Sequence, residues 1–232
     1  MTMTSRRALG IGLVLLAVLA AELARAACDD PPEAGVDWSK CDKAKLNLSG
    51  DNLTGADFSG ADLSRSDLRK SQLRSANLSE ATLIRTRLDG ADLAGADLTK
   101  AALDRSNLED ANLTGAVLVK AELPRANLTN VKLVGADLTK AELNRAVLAK
   151  ADLSRATLVG AYLKRANLRG AILGKASVSD ADLDLAELHG SDLSQTIGLV
   201  QDQIERACGD TTTKLPPGIK PPATWPCTTT DD

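Results

Sequence analysis

The sequence predicts an all-β repeat solenoid, a slender rod of stacked five-residue units. Three observations predict it. At positions 48–193 every fifth residue is apolar, giving 30 consecutive centres in unbroken register, 28 of them Leu, with Phe58 and Val178 as the exceptions. Two residues before each centre stands a small residue, Ala at 22 of the 30 positions. Aromatic residues make up only 2% of a chain that is 44% hydrophobic, so small aliphatic side chains must be buried without large rings.

A period of five fits neither common element. Five helical steps advance the apolar stripe by about 140° and scatter it around all sides, and strict strand alternation throws successive centres to opposite faces. The pattern works if the chain bends after each unit, so that the centre Leu and the Ala before it point inward and the other three residues face solvent. Columns sampled every 20 residues indicate four units per turn. Arg65, Arg85, Arg105, Arg125, Arg145 and Arg165 fill one corner, Lys100, Lys120 and Lys140 the neighbouring one, and Gly55, Gly95, Gly115 and Gly135 a third.

Units such as Ala111-Asn112-Leu113-Thr114-Gly115 and Ala96-Asp97-Leu98-Thr99-Lys100 resemble the consensus A-(D/N)-L-x-x of the pentapeptide-repeat family. The resemblance covers 46–195 and implies a right-handed quadrilateral β-helix of about 7.5 coils, roughly 36 Å long at the spacing of neighbouring strands.

The segments outside the repeat have their own signals. Residues 1–26 carry Arg6 and Arg7, an apolar run over 8–21 and Ala24-Arg25-Ala26, the layout of a cleaved export signal; the run is too short for a membrane span. Its removal leaves 25 basic and 30 acidic residues, a net charge of −5 that does not suggest a nucleic-acid binder. Residues 27–45 read as an N-terminal cap containing Cys28, Trp38 and Cys41, and 196–232 as a C-terminal cap containing Cys208 and Cys227. Four cysteines in an exported chain read as disulfides. Three connectivities are possible, and pairing within each cluster is favoured because the repeat holds the ends apart. A zinc site is weakly supported, since no CxxC occurs and His189 lies in neither cluster.

Irregularity is expected in the first coil, where Leu46 and Asp51 occupy inward positions; Thr86 and Val131 are milder misfits. Pro124 falls at an outward position. A short helix is predicted over 199–208 with Leu199, Ile204 and Ala207 facing in, followed by an extended proline-rich stretch in which Leu215, Ile219 and Trp225 pack. This tail resembles the C-terminal segment of exported bacterial members of the family. Val200 replaces the Thr usual there, which implies a helix without its N-cap.

No catalytic constellation is present. His189, at an outward position, reads as a solvated surface residue with no serine or cysteine triad around it, and the outward Asp and Asn residues serve the turns. No cofactor is implied. The arginine and lysine columns are the one candidate interaction stripe. They form either a charge lattice neutralised by Glu122, Glu142, Asp104 and Asp182 or a docking stripe for an acidic protein or an anionic envelope component. The leading functional expectation is therefore a periplasmic or secreted, non-catalytic scaffold of the bacterial envelope, without a stable membrane span once the signal is cleaved. The rival follows from the resemblance alone: some family members mimic DNA and bind topoisomerases, which requires a cytosolic chain with a strongly acidic face.

Overall fold

In the computed structural model the described residues are 28–227, and the export signal expected over 1–26 lies outside them. Among the described residues no helix is long and apolar enough to cross a membrane.

The rod is built by one repeated set of backbone bonds. Parallel bridges join each residue preceding a centre to its equivalent 20 residues on, from Asp37↔Asp57 through Ser177↔Ile197. Each bridge is isolated because a corner follows every five residues, leaving room for one bridged residue per side. A single unit accounts for all five of its N–H groups. Asn112 donates to Ala91 O in the coil below (2.9 Å), and Leu113 and Gly115 donate to Lys132 O (2.7 Å) and Val134 O (3.0 Å) in the coil above. Ala116 closes the turn onto Leu113 O (3.0 Å). The remaining N–H, that of Thr114, is taken by the side chain of Asn112 (3.2 Å). This last bond explains the preference for Asp or Asn before the centre: its side-chain oxygen satisfies the one backbone donor that the ladder leaves free. Pro124 has no such donor, and it follows Glu122, which is not an Asp or Asn; its carbonyl still accepts from Arg105 N–H (3.1 Å).

The corner demands a left-handed backbone. All 32 corner residues between positions 35 and 190 have positive φ, and 21 of them are not glycine. An L-residue held there costs on the order of 1 kcal/mol relative to glycine. Arg155 (φ 60°) stands in the corner column otherwise rich in glycine. Replacing it by glycine is expected to raise stability by about 0.5–1 kcal/mol, read as a higher urea midpoint with an unchanged m-value.

The core is the aliphatic axis that the period predicts: the centre residues from Leu48 to Leu193 are all buried. Hydroxyls at inward positions are tolerated because each finds a carbonyl. Ser71, Ser106 and Ser191 donate to the centre of the preceding unit (2.6–2.8 Å), and Thr86 donates to Leu63 O (2.8 Å). Val131 is fully buried and in register.

Three expectations are corrected. The coil containing Leu46 and Asp51 is regular, with Asn47↔Asp67 and Asn52↔Gln72 bridged like the rest. Asp51 is tolerated because, among the described residues, no earlier coil is bridged to its side and the residue stays partly exposed. Coil geometry also reaches into the residues read as N-terminal cap, with bridges at Asp37 and Asp42. The C-terminal helix, α1, is only Gln201–Ile204. Val200 provides no side-chain cap, and Gln203 Oε1 accepts from its N–H instead (2.8 Å). The helix stops early because the chain returns to the ladder, pairing Cys208 with Glu187 and Lys214 with Asp192. Leu199, Ile204 and Ala207 are buried as expected, and Leu215, Ile219 and Trp225 pack against the core. Gly209 is dictated by Trp225, whose ring would stand 2.4 Å from a Cβ at that position; the indole Nε1 donates to Ala207 O (2.7 Å).

Candidate interaction stripe and the C-terminal clamp

The six arginines of the predicted column occupy equivalent corners with φ between 53° and 60°. Each donates its backbone N–H to the coil above, from Arg65 to Ile84 O (3.0 Å) through Arg165 to Asp184 O (2.9 Å). The side chains therefore leave a rigid ladder at the spacing of adjacent strands, about 4.8 Å. The structure extends the column downward by Lys45 (φ 62°), a residue the sequence reading assigned to the cap, and ends it above at Leu185. Lys45 was missed because the period was counted from the first leucine centre, although the 20-residue spacing already placed it below Arg65.

Neutralisation of this stripe is sparse. Arg105 pairs with Asp104 (3.7 Å) and Lys100 with Glu80 (2.9 Å). Among the described residues Arg65, Arg85, Arg125, Arg145, Arg165, Lys120 and Lys140 have no ion-pair partner, and neither do Glu122, Glu142 and Asp182. Glu122 and Glu142 bridge one another's backbone on the side between the two columns. Several other carboxylates pair with cations that belong to neither column. Asp67 accepts from Arg69 (2.7 Å) and from Arg87, and the Arg69 guanidinium, with Arg87 behind it, holds its carboxyl down at about 2. Asp92 pairs with Arg74 (2.5 Å), Glu187 with Arg169 (2.6 Å), and Asp184 with both Lys164 (2.7 Å) and Arg206 (3.1 Å). A lattice neutralised by Glu122, Glu142, Asp104 and Asp182 is thus realised at Asp104 alone. The reason is geometric: the carboxylates at Glu122 and Glu142 spring from the middle of a side, and the cations spring from its corners.

The cysteines pair within each cluster, Cys28 with Cys41 and Cys208 with Cys227. The two bonds lie at opposite ends of the rod. Each ties a terminal segment to an adjacent coil, a constraint worth roughly 2–4 kcal/mol.

His189 corrects the reading of a solvated surface residue. It is half-buried beneath the C-terminal disulfide, its Nε2 3.1 Å from Cys227 O and 3.7 Å from Cys208 Sγ. Its Nδ1 is the one buried side-chain polar atom without a hydrogen-bond partner among the described residues. Counting along the chain leaves His189 outside the cysteine cluster; counting by coils places it one turn below Cys208. Next to this clamp is a groove of about 310 Å³ lined by Asp210, Thr213, Leu215, Pro221, Trp225 and Pro226. Hydroxyl and backbone donors, Thr212 foremost, hold the Asp210 carboxyl well below the usual carboxylate range.

Known proteins bear on these features. The family described as pentapeptide repeats matches in eight copies, over 45–79, 71–110, 106–145, 126–165 and 161–197. Among solved structures the chain is similar to HetL, a pentapeptide-repeat protein involved in heterocyst differentiation regulation from the cyanobacterium Nostoc sp. strain PCC 7120. The identity is 34%, with 77% of this chain and 87% of HetL covered at a TM-score of 0.51. It is also similar to QnrB1, a plasmid-mediated fluoroquinolone resistance protein, at 18% identity, with 81% of this chain and 89% of that one covered and a TM-score of 0.65, a likeness of fold alone. No curated protein matches the chain.

Proposed function

The chain belongs to the pentapeptide-repeat family, and on that premise we propose that it is an exported, non-catalytic scaffold of the bacterial envelope whose arginine corner docks an acidic partner. Members of this family are generally structural or binding modules. The observation that carries the reading is the unneutralised stripe. Five of six stacked arginines lack a carboxylate partner among the described residues, on a chain whose formal net charge is −3. Like charges stacked this closely repel, and every one of these corners would accept glycine at lower backbone cost. A partner carrying carboxylates at a matching spacing relieves the repulsion. A rod of single-residue bridges presents them on a rigid line, as repeat scaffolds do. Cell export rests on the 1–26 signal, and the two disulfides suit an oxidising compartment.

The test combines fractionation with crosslinking. Mature protein is expected in the periplasm, and Arg105→Glu with Arg125→Glu is expected to cut partner capture about tenfold or more, with wild-type capture weakening as salt rises. An unchanged set of partners in the charge-reversed protein makes the stripe an inert surface. Mature protein retained in the cytosol revives the alternative, a DNA mimic directed at a topoisomerase.

A further inference from the structure

We propose that reduction of the Cys208–Cys227 bond opens a metal site in which Cys208, Cys227 and His189 hold a thiophilic divalent cation such as Zn²⁺. The donor atoms of all three residues lie within 4.8 Å of one another, and each residue is half-buried. Tetrahedral zinc, with Zn–S near 2.3 Å and Zn–N near 2.0–2.1 Å, requires an S···N separation of about 3.5–3.6 Å. Cys208 Sγ and His189 Nε2 already stand 3.7 Å apart. The two sulfurs must open to about 3.8 Å, which side-chain rotation supplies across Cα atoms 5.6 Å apart.

The backbone holds these positions without the disulfide. Cys208 is bridged to Glu187, donating to Ala186 O (2.8 Å) and accepting from Leu188 N–H (2.6 Å). Trp225, two residues before Cys227, is anchored to Ala207 O (2.7 Å). His189 accepts at its own carbonyl from Gly170 N–H (2.9 Å). The imidazole is also not locked into a finished network. In the oxidised protein Nε2 carries the ring proton and donates it to the Cys227 carbonyl; when Nε2 gives up that bond and offers its lone pair to the metal, the neutral ring carries its proton on Nδ1, which is buried without a partner. Solvent supplies the fourth ligand through the exposed side of the cluster. His189 is the chain's only histidine, so the Cys28–Cys41 clamp has no equivalent.

The chemistry balances with a dithiol reductant. Two electrons and two protons pass from the dithiol, which closes to its own disulfide, and the Cys208–Cys227 bond becomes two thiols. Binding Zn²⁺ then releases both thiol protons to solvent, and the metal keeps its oxidation state.

The experiment is an anaerobic Co²⁺ titration of the full chain after phosphine reduction, followed by displacement with Zn²⁺. Cys28→Ser with Cys41→Ser isolates the C-terminal pair. One equivalent of Co²⁺ is expected, with thiolate-to-cobalt charge-transfer absorption and two protons released. The oxidised protein should bind none, and His189→Gln should bind on the order of 100-fold more weakly. Absence of the charge-transfer band on the reduced chain overturns the proposal, as does an affinity unmoved by His189→Gln. If the serine variant fails to fold, reduced wild type and reduced His189→Gln are compared directly, and equal affinities again overturn it.

Discussion

Leu113→Asp is expected to abolish cooperative folding of the rod's middle, lowering stability by more than about 4 kcal/mol. Leu113 is fully buried, stacked between the equivalent residues Leu93 and Leu133, which are fully buried too. An aspartate there loses the roughly 1.5–3 kcal/mol of burying the leucine. It also places a carboxylate on an axis whose neighbours have no spare donor. The five N–H groups of the unit are already committed to the ladder, the turn and the Asn112 side chain, so the charge has nowhere to be satisfied. The damage is not confined to one residue. In a quasi-one-dimensional stack each coil is stabilised by the interface on either side, and a broken unit at mid-rod weakens both. Urea or thermal melts followed by circular dichroism read the loss. Leu113→Ile, which conserves volume, should cost less than about 1.5 kcal/mol, and a Leu113→Asp protein that melts like wild type would refute the inward axis.

The features that were legible in the sequence are those set by periodicity. The apolar centre every fifth residue and the columns every twentieth became the buried axis and the bridged coils, because one register runs unbroken over 48–193 and leaves a single way to bury the leucines. What escaped was set by ends and by side-chain reach. Asp51 looks like a buried charge only if a coil lies beneath it. Residues 199–208 have a helical pattern of apolar positions, yet bridging by Cys208 and Lys214 outcompetes all but one turn of helix. In the tail the bridge spacing grows from 20 residues to 21 at Glu187↔Cys208 and 22 at Asp192↔Lys214, which breaks the arithmetic that serves elsewhere. The arginine column follows from the 20-residue spacing, but which of its members find partners does not, because a list of nearby carboxylates does not say which guanidinium each will reach. Arg87 and Arg69 converge on Asp67 across a coil and within a unit respectively, and no spacing rule separates that pairing from the unpaired Arg85.

The second large effect is expected at the opposite end. Trp38→Ala should cost about 3–5 kcal/mol and fray the N-terminal coils while leaving the middle intact. Trp38 is buried with 1% exposure and meets the ring of Phe58, one coil above, edge-on at 5.8 Å. This contact accounts for the one aromatic centre in the repeat: Phe58 replaces leucine where the axis must seat an indole. The indole Nε1 donates to Asp30 O (3.2 Å), and Lys43 Nζ lies 3.6 Å from the ring centroid while donating to the Cys28 carbonyl. Truncation therefore opens a cavity under Phe58, removes the cation's aromatic face and strands the segment that the Cys28–Cys41 bond holds in place. Burial pulls the Lys43 amine below its usual range, with the nearby Asp29 and Asp30 charges working against that shift. Because each coil leans only on its neighbours, the loss should stay local. Amides of Trp38, Lys40 and Lys43, which bond to the coil above at 2.7–2.8 Å, should lose hydrogen-exchange protection, and those of Leu133 and Leu138 should keep theirs. Uniform loss along the whole chain would instead make the rod a single cooperative unit, in which the indole acts as the nucleus of the fold and not as a lid on its end.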